Sequence, residues 1–210
     1  MTGTPNPGSI AKCLALAASC FALTAIAADP PAVDLTRAEE IHMGRCFMCH
    51  GAEGESSTPL YPRLAGQHYQ YVAKQLADFK AGRRASDTMS SMVQDLTEEE
   101  MTALGVFFEK KPTKPSAARD PELVSVGHFV FHRGNEYSGV AACASCHGEN
   151  GHGTDRLPRL ASQVPRYIEN QLKSFDSRQR TNDNEVMHVI ASRLTELEIK
   201  AVSAYIGTMK

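Results

Sequence analysis

The stretch that decides the architecture occurs twice, as CFMCHGAEG at residues 46–54 and as CASCHGENG at residues 143–151. Around it the chain repeats itself at an offset of 96 to 98 residues. Pro62-Arg63-Leu64-Ala65-Gly66-Gln67 matches Pro158-Arg159-Leu160-Ala161-Ser162-Gln163, and Tyr71-x-x-x-Gln75-Leu76-x-x-Phe79 matches Tyr167-x-x-x-Gln171-Leu172-x-x-Phe175. Leu96-Thr97-x-x-Glu100 closes the series against Leu194-Thr195-x-x-Glu198. Order, spacing and identity agree, so the chain is a duplicated unit. Its period is too long for a solenoid, and each repeat is expected to have its own core.

Each repeat reads as helical, and the expected class is all-α. Thr36 followed by Glu39 signals a capping box ahead of Ile41. Tyr69, Ala73, Leu76 and Phe79 form an apolar stripe that Gly82 stops, and Ile168, Leu172 and Phe175 repeat it behind a helix-starting Pro165. Thr97/Glu100 and Thr195/Glu198 open the terminal helices, whose buried faces are Met101, Leu104, Phe108 and Ile199, Val202, Ile206. No period-two strand pattern is present. KKPTKPSAARDPE (110–122) has linker composition, which divides the chain into a first domain over 28–112, a linker over 113–122 and a second domain over 123–210. Domains this small, without tryptophan, are short of core, a deficit that a large buried cofactor would fill.

Residues 1–27 read as a secretory signal peptide: Lys12 is the sole charge, an apolar run follows, and Ala25-Ile26-Ala27 resembles a cleavage site. The run falls short of the roughly 20 residues of a spanning helix, and Cys20 has a poor context for lipidation. Cleavage would remove Cys13 and Cys20, leaving Cys46, Cys49, Cys143 and Cys146, all within the two motifs, in an exported chain. Residues 28–112 carry 9 basic and 13 acidic side chains, and residues 113–210 carry 12 and 11. That asymmetry suits orientation on charged partners, and nothing resembles a basic nucleic-acid footprint.

Cysteines three apart on a helical turn can each form a thioether to one vinyl group of a haem, with the following histidine beneath the iron. Cys-x-x-Cys-His therefore reads as covalent c-type haem attachment. A pair of disulfides does not explain the histidines. A zinc site would need its halves closer in sequence, and a thioredoxin-like pair would need a βαβ pattern. Two haem c groups are expected, with His50 and His147 on the irons. The soft thioether of methionine is the expected sixth ligand for electron transfer. Seven residues before Leu96 stands Met89, and seven before Leu194 stands Met187. Met92 aligns with Ile190 and reads as packing, as do Met43 and Met48 on the attachment helix. His188, the rival to Met187, aligns with Ser90 and reads as a solvated loop histidine. His42, His68, His128, His132 and His152 have no histidine counterparts and read as surface or packing residues. Each ligating histidine also needs a carbonyl to accept its other ring N–H.

With these motifs in place, residues 29–210 resemble the dihaem cytochrome c4 family, two class I cytochrome c domains in tandem. The likeness includes YPRLAGQHYQYVAKQLADFKAGRR and FHRGNEYSGVAACASCHG. It implies that the carbonyls of Pro62 and Pro158 accept from the histidines and that Leu64 and Leu160 pack on the haems. Ser162 in place of Gly66, and His128 and His132, depart from the family pattern. Arg63 and Arg159 read equally as haem-propionate partners and as plain surface arginines.

Irons saturated by histidine and methionine, with no acid–base or nucleophile constellation, make a one-electron carrier and not an enzyme. The resemblance implies a periplasmic carrier between a quinol-oxidising complex and a terminal oxidase. The alternatives are an electron-accepting subunit of a periplasmic dehydrogenase and a dihaem peroxidase. Peripheral membrane association stays open.

Overall fold

Local sequence sets the helix starts. In the computed structural model, which describes residues 1–3 and 31–210, Thr97 and Thr195 each accept from the backbone N–H three residues on, while Glu100 and Glu198 reach back to close the capping boxes. The signal-peptide reading falls almost wholly on residues 4–30, outside the described residues. The first helix departs from expectation: α1 (Leu35–Ile41) is capped by Asp34, whose carboxylate accepts from Arg37 N, and not by Thr36. An aspartate two residues earlier already satisfies the end, so the threonine lies inside the first turn.

From α1 a π-helical turn (His42–Cys46) leads into α2 (Phe47–His50), which carries the rest of the first motif. Then follow α3 (Tyr69–Lys80), α4 (Asp87–Met92) and α5 (Glu98–Glu109). The second repeat runs α6 (Pro121–Arg133), α7 (Ala144–His147), α8 (Pro165–Asp176), α9 (Val186–Ala191) and α10 (Glu196–Thr208). Among the described residues the only β pairing is an isolated bridge between Asn135 and Val140.

Each repeat has its own core. In the first, α1 and α3 pack on α5 around Ile41, Val72, Phe79, Leu104 and Phe108; in the second, α6 and α8 pack on α10 around Phe131, Ile168, Phe175, Val202 and Ile206. The α6–α10 crossing is so close that a Cβ on Gly127 would collide with the Ala201 carbonyl oxygen, so only glycine fits.

Polar side chains join the repeats through α3, α8 and the loops after them. Arg84 donates to Gln75 Oε1 (2.7 Å), Tyr167 OH (2.9 Å) and Gln171 Oε1 (2.9 Å). Arg180 returns the pattern, donating to Gln171 Oε1 (2.7 Å), Tyr71 OH (2.9 Å) and Gln75 Oε1 (3.1 Å). Each guanidinium also stacks at 4.6 Å on its own repeat's phenyl ring, Phe79 or Phe175. Both arginines and Gln75 are buried. Burial alone would raise the Tyr167 pKa, but the Arg84 and Arg180 charges outweigh it and hold the hydroxyl below the ordinary tyrosine value. On one side only, buried Asp78 accepts from Lys74, Arg83 and Asn182.

Candidate functional site: two histidine–methionine centres on one cavity

The short helices α2 and α7 end at Gly51 and Gly148, both at positive φ, so the chain turns away directly after each histidine. That turn leaves His50 and His147 buried, with Nδ1 3.0 Å from the Pro62 carbonyl oxygen and 3.1 Å from that of Pro158. A carbonyl only accepts, so Nδ1 carries the proton and Nε2 keeps its lone pair. Burial lowers the pKa of both rings, against the opposing pull of the proline carbonyls, and His42 adds to the lowering at His50. Each is a neutral imidazole at neutral pH, the form that binds a metal.

None of the four motif cysteines is joined in a disulfide. All four, with both histidines, line a single cavity of about 1780 Å³ that runs across both repeats. Met89 and Met187 line it too, as do Pro62, Leu64, Pro158 and Leu160. Both methionine helices are tied at their starts: Met89 N donates to Ser86 Oγ (3.2 Å) and Met187 N to Asp183 Oδ2 (2.6 Å). The structure thus brings every residue singled out from sequence to one void.

Some neighbours differ from expectation. His188 is half-buried on α9, its Nδ1 donating to Phe175 O at 3.0 Å, because the helix turns it inward beneath α8 and not into solvent. Met43 and Met48 do not pack: they are 54% and 82% exposed, since the π turn and α2 face the histidine inward and turn these side chains out. Met92 lines the cavity mouth and is itself exposed. His42 is buried against Phe107 and Phe108.

Sequence reasoning missed the role of Gln67 and Gln163, although their repetition was visible. Gln67 accepts from Arg159 N (2.8 Å) and donates to Arg159 O (2.9 Å). Gln163 accepts from Arg63 N (2.7 Å) and donates to Arg63 O (2.9 Å). Glutamines repeated at the same register in both halves were the available signal.

The family profile described as Cytochrome c matches residues 35–109 and again 131–210. Cytochrome c4 of Thiocapsa roseopersicina is 42% identical over 184 residues, covering 86% of this chain and 95% of that protein. The chain belongs to the cytochrome c family, in its cytochrome c4 branch. The crystal structure of reduced recombinant cytochrome c4 from Pseudomonas stutzeri superposes with a TM-score of 0.80 at 32% identity, covering 85% of this chain and all of that one. A protein named thiosulfate dehydrogenase electron acceptor, from Thiomonas intermedia (strain K12), is 36% identical over 77% of each chain. Membership brings two covalently bound haem c groups.

The residues of this cytochrome fit that cofactor. The cavity exceeds the roughly 300–1,000 Å³ of a single-ligand site, and it offers paired thiols and a neutral imidazole in each half. Arg63 Nη1 and Arg159 Nε are buried without a hydrogen-bond partner, and both residues line the cavity. Burial lowers the pKa of both guanidiniums. One buried, unpartnered N–H on each of two corresponding arginines suits the propionates of a haem in each half. No helix among the described residues is long and apolar enough to cross a membrane.

Proposed function

We propose that the protein is a periplasmic dihaem electron carrier, not an enzyme. His50 and Met89 ligate the first iron and His147 and Met187 the second. Cys46 with Cys49 and Cys143 with Cys146 form the thioethers. Leu64 and Leu160 pack on the macrocycles. Haem c supplies reversible one-electron exchange at its iron; the chain holds the ligands, excludes water and sets the potential. The supporting observation is the shared cavity, on which each repeat presents one neutral histidine, one methionine and two cysteines that form no disulfide. A histidine and a methionine holding each iron would leave it no open position, which favours electron relay over an open-site reaction such as peroxide reduction.

A quinol-oxidising complex as donor and a terminal oxidase as acceptor suit the cytochrome c4 branch. A second reading, electron acceptor of a periplasmic dehydrogenase, is favoured by the similarity to the Thiomonas intermedia protein. Visible spectroscopy with redox titration of the wild type, Met89→Ala and Met187→Ala tests the axial assignment. Each variant should lose the sulfur-to-iron charge-transfer band of one haem and bind cyanide there. If neither substitution alters its haem, the assignment is wrong. Co-purification from the native membrane and periplasm separates the partners: a bound catalytic dehydrogenase chain favours the second reading.

A further inference from the structure

The Pro62 carbonyl and the Arg63 N–H belong to one peptide unit, as do the Pro158 carbonyl and the Arg159 N–H. His147 Nδ1–H donates to Pro158 O at 3.1 Å, and the N–H of that same peptide donates to Gln67 Oε1 at 2.8 Å. In the other half, His50 Nδ1–H donates to Pro62 O at 3.0 Å and Arg63 N–H donates to Gln163 Oε1 at 2.7 Å. The amide orientations are fixed by the partners: an N–H only donates and a C=O only accepts, so Oε1 faces one and Nε2 the other. Each chain of hydrogen bonds starts at a histidine of one repeat and ends on a glutamine of the other.

We propose that Gln67 is a positioning residue for the second haem and Gln163 for the first, so that each domain tunes the iron held by its neighbour. The proposal rests on the ligand assignment above. An acceptor on the peptide N–H polarises the peptide and makes its carbonyl oxygen a stronger acceptor. The histidine N–H is then held more tightly, which raises the basicity of the ring as a ligand and favours the oxidised iron. The second bond of each glutamine, from Nε2 to the arginine carbonyl, clamps the loop that bears the proline. Both glutamines are buried, so water does not simply take their place.

The test is a redox titration of the haem-loaded protein followed by paramagnetic NMR, which resolves the two haems, on wild type, Gln67→Ala, Gln163→Ala and Gln67→Glu. Gln67→Ala should shift the second haem about threefold toward the reduced state, about 30 mV at ~59 mV per tenfold, and move the first haem less than a third as far. Gln163→Ala should do the reverse. The His147 Nδ1–H resonance should shift in Gln67→Ala. Gln67→Glu, which keeps an acceptor, should leave the second haem at or below its wild-type potential, an outcome that a loosened loop alone would not produce. The proposal is overturned if each glutamine moves its own domain's haem as much as the other, if the shift is under 1.5-fold with the resonance unmoved, or if Glu acts like Ala. A His147 Nδ1–H signal missing from the hyperfine-shifted spectrum of the wild type would instead sink the ligand assignment, and the proposal with it.

Discussion

Arg84 and Arg180 should be worth more together than the sum of their separate removals. Each donates to both Gln75 Oε1 and Gln171 Oε1. Replacing Arg84 by methionine keeps the stem on Phe79 but loses the bond to Tyr167 OH, and both glutamine oxygens still have Arg180. A hydrogen bond to a charged group contributes about 1.5–3 kcal/mol and the cation over the ring adds about 0.5–1. Relief of repulsion between two buried guanidiniums offsets part of this, so about 2 kcal/mol is expected for either single variant. In Arg84→Met/Arg180→Met, Gln171 Oε1 loses both arginine donors, while Gln75 Oε1 keeps only Asn182. Gln171 is half-buried, so its acceptor without a partner costs about 1 kcal/mol, the low end for a buried group, and the relief of repulsion is gained once and not twice. Both effects have the same sign. The double variant should exceed the sum of the singles by about 1–3 kcal/mol. Equilibrium urea unfolding of the haem-loaded protein, followed by far-UV circular dichroism at all four corners of the cycle, measures this excess. A coupling within about 0.5 kcal/mol of zero, or of opposite sign, would refute the shared-acceptor reasoning.

Asp78→Asn should destabilise by about 1–3 kcal/mol, since the buried carboxylate accepts from Lys74, Arg83 and Asn182. Those partners overcome burial and lower its pKa. The stabilisation is therefore complete above the unfolded value of about 3.9 and lost as pH falls through the folded one. Thermal melts of wild type and variant should differ by a constant amount at neutral pH and converge in strong acid. Gly127→Ala should cost at least about 2 kcal/mol in urea unfolding, because the new methyl would meet the Ala201 carbonyl. Thr195→Ala should cost about 1 kcal/mol in the same assay, through loss of the α10 cap.

What was legible in the sequence was local or repeated. The Thr97 and Thr195 boxes, the Pro165 start and the Gly82 stop are short-range chemistry, and each occurs in the structure as read. Register singled out Met89 and Met187, and both line the cavity with the motif histidines. What was not legible depends on which way a side chain points once two repeats meet. Arg84, Arg180, Gln67 and Gln163 look like ordinary surface residues in one repeat, yet each is buried and bonds across to the other. Met43 and Met48 erred in the opposite direction: on a regular helix they would pack, but the π turn at His42–Cys46 shifts the phase and leaves them out.

The reciprocal contacts between the repeats follow the rule of an isologous interface, in which residue i meets residue j and j meets i. The tandem chain is, in that sense, a two-fold homodimer tied end to end. A true dimer must change both sides of its axis at once, because one gene writes both. A fused one escapes that constraint. The Lys74–Asp78–Asn182 cluster has no mirror image, since Asp78 corresponds to Ser174 and Lys74 to Asn170. Met48, exposed beside the first motif, corresponds to Ser145 beside the second. Fusion kept the arginine and glutamine contacts between the halves symmetric and freed both the rest of the seam and the outer faces to diverge.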